Sequence, residues 1–103
     1  MSSEYDHEGV VLHHANGSVD PQTDTRMDKL PMLALLAAGR ALRHGMKYER
    51  NKPDNWRGVP APEHLDHALR HVALWQSGDR TEDHQGHALS RLMMWVELCQ
   101  PSQ

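Results

Sequence analysis

The chain has 103 residues and a mass of 11.7 kDa, enough for one domain core and too little for two. Twelve Leu, nine Ala and six Met stand against six Val, three Thr and no Ile or Phe, a balance that excludes an all-β fold. A formal charge of −3 lacks the basic bias of a domain that coats nucleic acid, so bulk nucleic-acid binding is not expected. The longest apolar run, Met32 to Ala38, falls far short of the roughly 20 residues that span a bilayer, and no signal pattern opens the chain. A single cysteine, Cys99, forms neither an internal disulfide nor a Cys-based zinc site, and a cytoplasmic protein without membrane contact is expected.

In chain order, residues 1–29 hold acidic, Gly, Ser, Thr and Asn positions around one apolar patch, Val10-Val11-Leu12, with Asn16-Gly17 as a turn signal. We read residues 1–25 as a flexible N-terminal arm with room for one short strand, and residues 26–103 as a single helical domain. Met32, Leu35, Leu36, Gly39, Leu42 and Met46 recur at three- and four-residue steps, with Asp28 near the start, and predict a first helix over about 30–45. The polar stretch from Lys47 to Pro62 carries three prolines and reads as a loop. Pro62 suits the first turn of a second helix, with Leu65, Ala68, Leu69, Val72 and Trp75 as its apolar stripe and Ser77-Gly78 as its end. Ala88, Leu89, Leu92, Met93, Val96 and Cys99 define a third helix over about 83–99, stopped by Pro101. The fold class is all-α, a small three- to four-helix bundle, and so thin a bundle is expected to form a homo-oligomer.

Nine histidines concentrate groups that bind metal or change charge near neutral pH. His64, His67 and His71 share one stripe of helix two, and Asp79, Asp83, His84 or His87 stand ready as further ligands. Such histidines also serve as solvated face residues or as hydrogen-bonding groups in small cores. Glu63 and Asp66 lie one turn apart, and Asp79, Glu82 and Asp83 cluster in the next connector, as a Mg²⁺ centre requires. Thr81 and Asp83 equally suit the N-cap of helix three. Lys47, Tyr48, Asn55, Trp56 and Arg57, with Arg26 and Lys29 upstream, combine cations, an amide and aromatic rings suited to a phosphate and a base. The plainer alternative folds Trp56 back as a lid, with the charges solvated. Arg70 is either a phosphate fork or the partner of Asp66 at i, i+4.

Arg26-Met-Asp-Lys29, HGMKY at 44–48, NWRG at 55–58, LDHALRHVALWQSGD at 65–79 and the acidic segment leading to His87 together resemble the phage and prophage family of the dATP/dGTP diphosphohydrolase N-terminal domain. The resemblance spans about residues 26–98. It implies a relation to MazG-like all-α nucleotide pyrophosphohydrolases, in which a divalent metal activates water to attack the α-phosphorus of a nucleoside triphosphate and release pyrophosphate. Carried over residue by residue, it implies nucleotide contacts at Lys29, Lys47, Tyr48, Asn55, Trp56, Arg57 and Arg70, and Mg²⁺ or Mn²⁺ held by His71, Asp79, Asp83 and His87. This chain departs from the superfamily's E-x-x-E on the first helix, where it has apolar residues and Gly39-Arg40, and has Ser90 and Met94 where a further His and Asn occur. The resemblance thus implies a purine nucleotide as partner in the cytoplasm of a phage-infected or prophage-carrying bacterium. Two activities follow: (d)NTP pyrophosphohydrolysis, or a non-catalytic module that sequesters a nucleotide or inhibits a host enzyme.

Overall fold

The computed structural model describes residues 11–21, 24–46 and 54–101; Lys47 and Tyr48 lie outside the described residues. The chain forms two compact units, one ending at Leu30 and one beginning at Pro31. In the first, β1 (Val11–His13) pairs antiparallel with β2 (Val19–Pro21), placing Val11 opposite Pro21 and His13 opposite Val19. The turn sits at Asn16-Gly17 as its sequence predicts. Gly17 takes a φ of +92° that an L side chain rarely adopts, and Asn16 Oδ1 accepts from the Ser18 N–H and hydroxyl at 3.0 and 2.7 Å. The returning strand β2 was not expected, because its three residues are too short to show alternation. Beyond it a 3-10 turn, Met27–Lys29, carries an exposed two-bond pair from Arg26 to Asp28 at 3.0 and 2.8 Å. Asp28 is therefore engaged by Arg26, and the residue at the start of the first helix is Pro31.

The second unit holds α1 (Met32–Gly45), a 3-10 turn (Asn55–Gly58), α2 (Ala61–Gln76) and α3 (His84–Cys99). These are the three helices that the periodicity predicts, so the bundle is all-α as expected. The shared element is α3, which packs most extensively against α2, and also against α1 and the Asn55–Gly58 turn. Among the described residues no helix is long and apolar enough to cross a membrane.

Small residues make the interior. Among the described residues, Ala38, Ala41, Ala68 and Ala88 are the buried apolar ones, and the largest fully buried side chains are His64 and His84. At Gly86 an added Cβ would run into the Asp83 carboxylate and stand 3.1 Å from the Ala37 carbonyl oxygen, so glycine there lets α3 approach α1. The stripe expected to be the inner face of α2 is mostly outside: Leu69 is 58% exposed and Val72 and Trp75 are also exposed, while His64 and Ala68 are buried and His71 is half-buried. Inversion is affordable because an imidazole whose two nitrogens are both bonded loses little on burial, and His64 meets that condition.

Candidate functional site

The C-terminal half of α1, residues 54–59 and the facing sides of α2 and α3 border a half-open cavity of about 500 Å³, within the roughly 300–1,000 Å³ typical of small-molecule sites. Its wall includes His44, Asn55, Trp56, His64, His71, Glu82, His87 and Arg91. Two groups of side chains give it chemistry.

Arg91, His64 and Trp56 form the first. An Arg91 Nη1–H donates to His64 Nδ1 at 2.9 Å, and His64 Nε2 lies 2.9 Å from the Trp56 carbonyl oxygen. Guanidinium only donates and a carbonyl only accepts, so His64 is neutral and carries its proton on Nε2. That bond ties the loop before α2 to α2 itself. The Trp56 ring meets His64 edge-on, with centroids 6.3 Å apart, and the Arg57 guanidinium lies 4.3 Å from its centroid. Half-buried Arg91 has its pKa lowered by desolvation, yet a guanidinium stays charged at any physiological pH. Among the described residues no carboxylate pairs with it.

The second group is built on His71, Glu82 and His84, whose ligand atoms all lie within 4.8 Å of one another. His71 Nδ1 stands 2.9 Å from His84 Nδ1 and 3.8 Å from Glu82 Oε1. His84 Nε2 donates to Asp79 Oδ2 at 3.0 Å. The other Asp79 oxygen accepts from the Thr81 N–H and hydroxyl at 3.0 and 2.8 Å. Those bonds, the Thr81 backbone N–H first, hold the Asp79 carboxyl down to about 2. Burial pushes His71 below its ordinary pKa, against a partial offset from Glu82. The His71 ring stacks on His87, with centroids 5.3 Å apart and 20° between planes, and His87 meets His44 edge-on at 5.7 Å.

Local sequence sets these positions. At the end of α2 the Gly78 N–H bonds the Trp75 carbonyl and the Asp79 N–H bonds the Leu74 carbonyl, with Gly78 at φ +99°, a glycine-closed helix end that delivers Asp79. Asp83 caps α3, its Oδ1 accepting from the Gly86 N–H at 3.0 Å.

Of the predicted nucleotide contacts, Asn55 and Trp56 line the cavity. Arg57 pairs at 3.1 Å with Asp54, which is part of the cavity wall, and both side chains are exposed. Arg70 pairs with Asp66 at 3.0 Å, 70% exposed, and is not part of the cavity wall. Lys29 is an exposed residue of the first unit. Of the predicted metal ligands, His71 belongs to the cluster, Asp79 backs it through His84, Asp83 serves as the cap of α3, and His87 stacks on His71. Glu82 and His84 complete with His71 the group whose ligand atoms lie within 4.8 Å of one another. Arg91 was not considered from sequence, although His84, His87 and Arg91 repeat on α3 the i, i+3, i+7 spacing that singled out the histidines of α2.

No curated protein and no solved structure matches the chain. The family model described as dATP/dGTP diphosphohydrolase, N-terminal, matches residues 14–103, nearly the whole sequence, and the chain belongs to that family.

Proposed function

We propose that the cavity binds a purine nucleoside triphosphate and that the chain cleaves it to the monophosphate and pyrophosphate. Arg91 is the observation that carries this reading: a half-buried guanidinium without a carboxylate partner among the described residues is a site for an anion. Its planar fork matches phosphate oxygens, Asn55 adds an amide, and the Trp56 ring offers a face for a base. In the family's reaction water adds to the α-phosphorus, the bond from that phosphorus to the bridging oxygen breaks, and pyrophosphate leaves. A divalent cation supplies neutralisation of phosphate charge in such chemistry, and among the described residues His71, Glu82 and His84 are the group able to hold one. Membership of the family supports the substrate class.

One observation favours a second reading. Helix α1 has no Asp or Glu, so the carboxylate pair of related enzymes is missing and the chain would retain its nucleotide uncleaved. Incubating the protein with dATP and dGTP plus divalent cation, with parallel melting curves, separates the two. Pyrophosphate release selects the enzyme, a thermal shift without turnover selects the binder, and neither effect refutes both.

A further inference from the structure

We infer that His71, His84 and Glu82 form a two-histidine, one-carboxylate centre for a transition-metal dication of the Zn²⁺ or Co²⁺ class, with Asp79 as its positioning carboxylate. Only the bearing of this centre on phosphate chemistry rests on the function proposed above. Its existence does not.

The spacing comes first. Two imidazole nitrogens that each sit about 2.1 Å from one ion stand roughly 3.0–3.4 Å apart, and the Nδ1 atoms of His71 and His84 are 2.9 Å apart. Glu82 Oε1, 3.8 Å from His71 Nδ1, closes the third side with a small movement of an exposed side chain. The second observation concerns His84, which is 1% exposed. A carboxylate only accepts, so the Nε2 proton of His84 is committed to Asp79 and its Nδ1 lone pair is left facing His71. A ligating histidine characteristically gives its far N–H to a carboxylate, which fixes the ring and raises its basicity. Asp79 is itself immobilised by Thr81. Without an ion, the His71 Nδ1–H fills the lone pair of His84. With one, His71 carries its proton on Nε2 and both Nδ1 atoms ligate.

The donor set selects the metal. Two imidazoles and one carboxylate suit Zn²⁺ and Co²⁺, whereas Mg²⁺ demands a near-octahedral shell of oxygens. His71 and Glu82 line the cavity, so the remaining coordination positions open onto it.

The test uses the full chain, stripped with chelator and titrated with Co²⁺ alone while the visible ligand-field bands are read. One Co²⁺ per chain with strong bands is expected, displaced by Zn²⁺ and not by an equal concentration of Mg²⁺. Because His84 is buried, Glu82→Gln and His71→Ala carry the test, each weakening Co²⁺ at least tenfold. Asp79→Asn should weaken it by about 10–100-fold and shift the bands, a change that a purely structural role would not produce. Absence of Co²⁺ and Zn²⁺ binding, equal competition by Mg²⁺, or unchanged affinity in Glu82→Gln and His71→Ala overturns the inference. Nucleotide titration is run separately, so loss of one reading leaves the other standing.

Discussion

His64 and His71 sit two turns apart on the same helix, yet their surroundings assign them different work. His64 is spent on structure, with a guanidinium on one nitrogen and a carbonyl on the other. His71 has one edge in the cavity, and burial, aided by the nearby His87, His84 and Arg91, lowers its pKa from the ordinary value. The unfolded chain takes up this proton near pH 6.5 and the folded chain only at lower pH. Its contribution to stability is therefore present above about pH 6.5 and lost as pH falls through the folded value. In metal-free protein the melting temperature should decline from pH 7 to pH 5, and His71→Gln should flatten that decline. Identical slopes in the two proteins would show that His71 titrates as it does in the unfolded chain.

At the scale of elements, the connector between α2 and α3 is decisive, because it carries Asp79 and Glu82 and leads into His84 at the first position of α3. Gly78→Ala meets no steric obstacle, so its cost is that of a left-handed backbone, about 1–2 kcal/mol. Asp83→Ala removes the α3 cap and should cost about 1 kcal/mol. Urea unfolding measures both; a Gly78→Ala variant as stable as the parent would mean that the helix end is not closed as described. These punctuation residues were legible in the sequence, as were the three helices. The inner face of α2 was not, since hydropathy counts imidazole as polar and cannot know that Trp56 and Arg91 will satisfy both nitrogens of His64. Arg91 escaped for a related reason. On a helix read for its apolar stripe, a lone cation looks like solvated surface until the opposite wall of the cavity is known.

Across the whole molecule, the described core of the helical unit is alanine, while Leu33 at 82%, Leu36, Leu69, Trp75 and Val96 remain exposed. Burying one Leu contributes about 1.5–3 kcal/mol, so leaving several in water argues for a second copy of the chain. A homo-oligomer at micromolar concentration is expected, with a shift toward monomer in Leu69→Asp. Light scattering giving 11.7 kDa for the unsubstituted chain would contradict it.

The proposed function puts a phosphate at Arg91 inside the cavity, and titration calorimetry with dGTP reads that contact. Arg91→Gln keeps a donor for His64 Nδ1 while removing the charge. It should weaken binding by at least about 30-fold, as loss of a desolvated contact of about 2 kcal/mol does. Arg70→Ala should leave affinity within about twofold, because an exposed i, i+4 pair contributes only about 0.3–0.5 kcal/mol and touches no ligand. Unchanged affinity in Arg91→Gln together with a large loss in Arg70→Ala would move the phosphate to the outer face of α2 and contradict the site described.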